Sequence, residues 1–124
     1  MELKFYVCKH CGNIIAFAKN SGVPVICCGE KMRQMRAGSV EASLEKHIPV
    51  YSVEKQIVRV QIGDAPHPME QEHWIEWIVL ETNYGYSVRH LYPGNKPEAV
   101  FALVQGETVK GIYEYCNIHG LWSR

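Results

Sequence analysis

Apolar and polar residues alternate along much of the chain after about residue 40, a period typical of β-strands with one buried face. The clearest run is residues 56–62, in which the aliphatic side chains at positions 58, 60 and 62 share one face. Residues 74–81 are apolar on both faces, as expected of a central strand. This part of the chain has no convincing helical period, so the pattern predicts an all-β fold.

Turn residues divide the rest of this part into further short runs. Residues 86–92 alternate as well, and His90 lies mid-run on a face shared with aromatic side chains, so we expect it to pack rather than to bind a ligand. The other predicted strands are residues 39–44, 49–53, 99–104 and 109–115. About seven strands result, which suits an immunoglobulin-like β-sandwich.

The first 36 residues follow a different pattern, with four of the five cysteines of the chain placed in two pairs. Cys8 and Cys11 are separated by two residues, a spacing that lets both sulfurs bind one ion. Cys27 and Cys28 follow after fifteen intervening residues, and four thiolates suit a tetrahedral zinc or iron site. His10 lies between the first two cysteines and is expected to be exposed, because the thiolates already complete the coordination of the ion.

A module of this length cannot bury a large core, so the metal must supply much of its folding free energy. Residues 36–39, Arg-Ala-Gly-Ser, are typical of a hinge. We therefore predict a metal-binding domain at residues 1–36 and a β-sandwich domain at residues 37–124.

Charge and hydropathy exclude several classes of function. Lysine plus arginine equal aspartate plus glutamate at 13 each, so the chain lacks the basic surface expected of a nucleic-acid-binding protein. No apolar run approaches the roughly 20 residues of a membrane span, and the first residues do not resemble a signal peptide. We expect a cytoplasmic protein, in which cysteines stay reduced and serve as metal ligands rather than as disulfides.

Five more residues of metal-ligand type lie at the predicted loops of the second domain. His47 ends the first predicted run, His67 lies between two prolines and His73 precedes a strand, whereas Cys116 and His119 follow the last strand. Each alone would usually be an ordinary strand-end residue, but together they predict one metal bound at the end of the sandwich where loops meet. Four imidazoles and a thiolate exceed a structural zinc site, suit iron or copper, and leave one octahedral position open for a small oxygen species.

Two stretches around the cysteine pairs, residues 6–14 and 25–32, resemble desulforedoxin, a small rubredoxin-like iron protein. Zinc ribbons usually repeat the two-residue spacing at both pairs, whereas the adjacent Cys27 and Cys28 force unequal angles at the metal. The alternative is a zinc-stabilised ribbon with no redox role.

Three stretches of the second domain resemble the iron-binding motifs of superoxide reductase: residues 45–49, 67–75 and 116–122. With the desulforedoxin-like domain in front, the chain resembles desulfoferrodoxin, the two-iron form of that enzyme. The resemblance implies two iron ions per chain, one of them an accessory electron-transfer centre held by the four thiolates. It implies for the other iron the equatorial ligands His47, His67, His73 and His119 and the axial ligand Cys116.

The resemblance also implies an oxidoreductase that reduces superoxide to hydrogen peroxide with one electron and two protons, and releases no oxygen. Lys46 is implied to attract the anion and to stabilise or help protonate the peroxide, and Glu45 to bind the ferric iron after turnover. A Glu-Lys pair on a surface loop is otherwise usually solvated charge. The family further implies rubredoxin or a similar carrier as the electron donor, and a homodimer.

Two other functions stay open. A non-catalytic electron carrier would use the tetrathiolate iron and keep the histidine site as structure, but it would leave a coordination position unused. A zinc-binding interaction module would join a ribbon to a sandwich, but the adjacent Cys27 and Cys28 depart from ribbon spacing. Reduction of superoxide is therefore the preferred prediction.

Overall fold

A computed structural model describes residues 3–39, 42 and 44–124 of the chain. The chain folds as two compact units, Met1–Arg36 and Ala37–Arg124. No helix in the described ranges is long and apolar enough to span a membrane.

From residue 3 onward, the first unit consists of five short strands in two antiparallel sheets. In chain order the strands are β1 (Phe5–Val7), β2 (Ile14–Ala16), β3 (Ile26–Cys27), β4 (Glu30–Lys31) and β5 (Arg33–Gln34). One sheet has the order β2-β1-β5, and β3 pairs with β4 in a hairpin. Of the described residues in this unit only Phe5 and Cys8 are buried, so it has almost no hydrophobic core.

Within the described residues, the second unit is a β-sandwich of seven strands preceded by one helical turn. Its elements are α1 (Leu44–His47), β6 (Pro49–Glu54), β7 (Ile57–Ile62), β8 (Ile75–Thr82), β9 (Gly85–His90), β10 (Glu98–Ala102), β11 (Val109–Cys116) and β12 (Gly120–Ser123). The strands form two antiparallel sheets with the orders β10-β7-β6 and β12-β11-β8-β9.

Both sheets contribute side chains to one continuous hydrophobic core. The alternation predicted for residues 56–62 is seen in β7, where Val58, Val60 and Ile62 are buried between exposed neighbours. Strand β8 is buried on both faces, as its sequence predicts. The core residues are Val58, Val60, Ile62, Ile75, Ile78, Leu80, Ala99, Phe101, Leu103, Ile112 and Cys116.

The predicted all-β sandwich is confirmed, with differences at both ends of the second unit. A strand was expected at residues 39–44, but Leu44 begins a helical turn, and residues 40, 41 and 43 lie outside the described part of the chain. Strand β12 was not predicted, because four residues after a turn are too few for alternation to be read. The described strands of the sandwich thus have the expected number, but β12 takes the place of the strand predicted at residues 39–44.

The expected packing of His90 is wrong. All six residues of β9 are exposed, His90 included, and none of them belongs to the hydrophobic core between the sheets. The alternating pattern of this strand indicated the correct secondary structure without indicating burial.

Candidate metal centres

The four cysteines of the first unit come together at one point. Their sulfurs all lie within 4.8 Å of one another, and the Sγ atoms of Cys11 and Cys27 are 3.7 Å apart. Four sulfurs at about 2.3 Å from one tetrahedral ion would be about 3.8 Å apart, so the observed spacing fits a tetrathiolate metal site. All five cysteines of the chain are free thiols, as expected of ligands rather than disulfide partners.

The local backbone explains how adjacent cysteines can share one ion. Cys27 pairs with Glu30, so Cys28 and Gly29 are the two residues of a tight hairpin turn. Both have positive φ, 51° for Cys28 and 77° for Gly29, which is typical of a type I′ turn. Glycine adopts this conformation freely, whereas for cysteine it is strained, and a shared metal would offset that strain.

The thiols of this cluster cannot all be ionised together without a cation. Backbone N–H groups, first that of Cys11, lower the pKa of the Cys8 thiol to about 6. Hydrogen bonds with Cys8 and Cys11 instead raise the pKa of Cys28 to about 12. A metal cation would therefore be needed to hold four thiolates here at neutral pH.

His10 is exposed, as predicted, and pairs with Glu30 at 3.2 Å on the surface.

The structure also brings together the five predicted ligands of the second unit. His47 ends α1, His67 and His73 lie in the loop between β7 and β8, Cys116 ends β11, and His119 lies in the turn before β12. One ligand atom from each lies within 4.8 Å of every other. Residues far apart in sequence thus meet at one end of the sandwich.

The four imidazoles form a closed square in which each ring is nearly perpendicular to its neighbours. Around the square His47–His67–His73–His119, ring centroids are 4.6, 4.7, 5.2 and 4.8 Å apart, with interplanar angles of 79° to 83°. The Nε2 atom of His47 is 3.1 Å from both His67 Nε2 and His119 Nδ1. Two nitrogens bound at right angles about 2.1 Å from one ion would be about 3 Å apart.

The protonation pattern of these rings favours a shared cation. His67 Nδ1 lies 2.7 Å from the carbonyl oxygen of Pro68, to which it donates a hydrogen bond, so the ring presents a lone pair at Nε2. Burial lowers the pKa of His67 to about 4 and also lowers that of His73, so both rings are neutral at neutral pH. His73 Nε2 is buried and has no hydrogen-bond partner among the described residues. A metal ion would satisfy these lone pairs, so the donor set fits iron.

Cys116 is fully buried, with its sulfur 3.9 Å from His119 Nδ1. Burial raises the pKa of the thiol, and the backbone N–H groups of His119 and Ile118 act in the opposite direction. Because its pKa is raised, the thiol would need the charge of a metal to become a thiolate at neutral pH.

A register shift in the pairing of β11 with β8 falls between Tyr115 and Cys116, which is typical of a β-bulge that redirects a side chain.

Lys46 and Glu45 precede His47 in α1. The Lys46 side chain is exposed, and its charge is one of the influences, after burial, that lower the pKa of His73. Lys46 therefore lies close enough to act electrostatically on the histidine cluster. The side chain of Glu45 lies outside the described part of the structure, so its role stays a prediction.

Two residues that the sequence did not indicate as metal ligands or catalytic residues also lie beside the cluster. The Trp122 ring lies 4.9 Å from that of His47, and its Nε1 donates to the carbonyl oxygen of His119 at 3.1 Å. Glu114 is fully buried, both carboxylate oxygens lack partners among the described residues, and burial raises its pKa to about 9. The two-residue alternation that points Ile112 and Cys116 inward could have identified Glu114.

Comparison with known proteins agrees with this architecture. The profile of the desulfoferrodoxin family matches residues 39–124. A desulfoferrodoxin of Syntrophotalea carbinolica is 41% identical over 122 residues, which cover 98% of this chain and 95% of the relative. A superoxide reductase of Thermococcus kodakarensis is 35% identical over 97 residues, covering 64% of this chain and 84% of the relative.

A solved structure shows the same likeness over almost the whole chain. The crystal structure of the superoxide reductase from Treponema pallidum matches with a TM-score of 0.82 and 36% sequence identity, covering 99% of this chain and 97% of that one. Profile, sequence and structure therefore agree, and the chain belongs to the desulfoferrodoxin family.

Proposed function

We propose that this protein is a superoxide reductase, with the catalytic iron held by His47, His67, His73, His119 and Cys116. The observation that carries the proposal is the convergence of these five ligand atoms within 4.8 Å of one another. Four nitrogens and one sulfur exceed the four ligands of a structural zinc site and leave one octahedral position open. The superoxide reductases among the relatives support the same reaction.

The reaction adds one electron and two protons to superoxide and yields hydrogen peroxide. When bound, iron would supply the electron and a coordination position for the anion. The protein's part is to bring the anion there, to provide a proton and to keep competing ligands away. Burial of His47, His67 and Cys116 limits the access of water to the inner side of the centre.

Lys46 is the proposed group for attracting and protonating the substrate. Its ammonium group is exposed and close enough to influence His73, so it can draw a small anion toward the cluster. It can then donate a hydrogen bond, or a proton, to the oxygen that carries the developing charge. Glu45 is the proposed carboxylate that occupies the open position after turnover.

The four thiolates of Cys8, Cys11, Cys27 and Cys28 are proposed to hold a second iron that passes electrons. Their mutual spacing supports a tetrahedral site, and the exposure of Cys11 and Cys28 supports contact with an external carrier. Rubredoxin or a similar protein is the proposed donor, and the protein is proposed to act as a cytoplasmic homodimer with one desulforedoxin-like and one catalytic domain per chain.

Metal analysis and visible spectra of the wild type, Cys116→Ser and Cys11→Ser test this proposal. We expect two irons per wild-type chain, one at each cluster. Cys116→Ser should lose the thiolate-to-ferric band of the catalytic centre together with turnover. Cys11→Ser is the matched control and should lose the tetrathiolate bands while the reduced catalytic centre still reacts with superoxide.

The same proteins distinguish the other functions. An iron-loaded wild type that consumes no superoxide would instead be a non-catalytic electron carrier. Zinc alone, with no visible absorption after anaerobic reconstitution with iron, would favour an interaction module. Release of oxygen together with peroxide would indicate dismutation rather than reduction.

A further inference from the structure

The loop that carries His73 is connected to the segment that carries Cys116 and His119 by the side chain of Asn117. Asn117 Oδ1 accepts a hydrogen bond from the backbone N–H of Trp74 at 2.9 Å, and Nδ2 donates to the carbonyl oxygen of Glu72 at 3.0 Å. The backbone N–H of Asn117 also donates to the carbonyl oxygen of Trp74, at 3.2 Å. One carboxamide therefore binds the residue before His73 and the residue after it.

The backbone of His73 itself makes hydrogen bonds to Glu70 in the same loop. Its N–H donates to the carbonyl oxygen of Glu70 at 3.1 Å, and its own carbonyl accepts from the N–H of Glu70 at 2.9 Å. The polar backbone groups from Glu72 C=O to Trp74 C=O are thus all hydrogen-bonded. This holds the buried Nε2 of His73 at the corner of the imidazole square.

We infer that Asn117 is a positioning residue that sets His73 relative to Cys116 and His119, so that the iron ligands have their binding geometry before the metal arrives. The inference rests on the proposed iron centre. Asn117 follows Cys116 directly in the chain, so any shift of its carboxamide would change the spacing between His73 and the sulfur. A metal site requires its ligands to be held within about 0.5 Å of their final places, and groups that orient ligands influence metal affinity.

The opposite end of the paired strands β8 and β11 provides a matched control. Asn83 follows β8, and its Nδ2 donates to the carbonyl oxygen of Gly106 at 3.0 Å. Its Oδ1 accepts from the N–H of Thr108 at 2.8 Å, and its own N–H donates to the Thr108 carbonyl at 3.2 Å. The two asparagines thus make the same three bonds at opposite ends of β8 and β11, and only the Asn117 bridge encloses a proposed iron ligand.

The test uses the full-length protein with its tetrathiolate centre as an internal reference. Ferrous iron affinity of the second centre is measured anaerobically by competition with a chelator, together with the thiolate-to-ferric band and thermal unfolding. We expect Asn117→Ala to weaken ferrous iron binding by about tenfold or more and to shift or broaden the band. Asn83→Ala should lower the unfolding temperature while iron affinity and band stay those of the wild type.

A second pair of variants covers the case in which Asn117→Ala does not fold. Asn117→Asp keeps the bond from Trp74 but cannot donate to Glu72, and Asn83→Asp makes the equivalent change at the other end. The added negative charge of Asn117→Asp would favour a cation, so weaker iron binding in that variant would reflect the lost hydrogen bond.

The inference is overturned if the folded Asn117 variants bind iron as tightly as the wild type with an unchanged band. It is also overturned if the Asn83 variants weaken iron binding equally, because Asn117 would then only stabilise the fold. None of these measurements uses superoxide. A wild type that binds iron but does not react would refute the proposed function alone, whereas a wild type that binds no iron at this centre would refute both.

Discussion

The two metal-ligand clusters of this chain are built in opposite ways. In the first unit the cysteines lie on two tight turns, Cys11 and Cys28 are exposed, and only Phe5 and Cys8 are buried among the described residues. In the second unit three separate segments bring the ligands together at the end of a sandwich with a continuous core.

The two units differ in whether folding depends on metal binding or metal binds to a site that is already folded. Where the core is minimal, the binding free energy of a metal is also folding free energy, so we expect the first unit to fold only with a bound ion. Where the core is large, the fold can place the ligands beforehand, and the ion is bound by an existing site. Three predictions test this contrast, from the largest expected effect to the smallest.

Removal of the metals should unfold the first unit and leave the second unit folded. A strong chelator should abolish the ordered structure of residues 1–36, because almost no buried apolar surface remains to stabilise it. The sandwich should stay folded with its core protected. Amide hydrogen exchange, followed for each unit with and without chelator, measures this directly.

Cys28→Ser serves as a control, since it should give the same loss in the first unit without any chelator. Equal exchange protection of the first unit before and after metal removal would contradict the contrast, as would cooperative unfolding of both units together.

Glu114 should make the stability of the sandwich depend on pH independently of any metal at the first unit. Its pKa in the folded protein is about 9, against an ordinary value of 4.5, because burial disfavours the charged form. The folded state therefore holds a proton that the unfolded chain releases above pH 4.5, so stability falls as pH rises from 4.5 to about 9. Between pH 4.5 and 7 the loss amounts to roughly 3 kcal/mol.

Urea unfolding of wild type and Glu114→Gln at several pH values measures this effect. The advantage of the variant should grow steadily from pH 5 to pH 8, because the amide has no proton to lose. Glu107→Gln is the control. A hydrogen bond from Thr82 lowers the pKa of Glu107, so the stabilising effect of its carboxylate is complete above pH 4.5. The difference in stability between Glu107→Gln and the wild type should therefore be constant from pH 5 to pH 8. A constant difference for Glu114→Gln as well would refute the prediction.

Lys46→Ala should give the smallest effect, confined to the reaction at the second centre. Loss of the exposed positive charge should slow the reaction with superoxide by about tenfold at low salt and weaken its dependence on ionic strength. Stopped-flow or pulse-radiolysis rates at several salt concentrations measure both. Lys110→Ala, at the opposite end of β11, is the control and should behave as the wild type. An unchanged rate at low salt would remove Lys46 from the mechanism.

The ease of predicting each cluster from sequence follows from the same contrast. The ligands of the first cluster are local pairs, so the spacing of Cys8 and Cys11 alone indicates a shared ion. In the second cluster His47 and His119 are 72 residues apart, and their approach to 3.1 Å depends on the strand order of two sheets. Loop position suggested the five residues as a group, and the family motifs supplied their roles.

Features that depend on strand register could not be predicted. The register shift beside Cys116 and the bonds of Asn117 to Glu72 and Trp74 appear only once β8 and β11 are aligned. His47 was expected at the end of a strand, but it ends a helical turn, because a segment of four residues carries too little periodicity to distinguish the two. The exposure of β9 likewise depends on how the two sheets pack, since none of its residues belongs to the core, and no local pattern encodes this.

The order of the ligands along the chain also has a consequence for how the protein is made. The cysteines of the first cluster are all present once residue 28 has been synthesised, whereas the second cluster lacks a ligand until residue 119, which is 119 − 28 = 91 residues later. At roughly 5 to 20 residues per second, synthesis of that interval takes roughly 5 to 18 seconds. The two centres thus become able to bind metal at different times, and the thiol-rich one is exposed to the metal pool of the cell while its neighbour is still being synthesised.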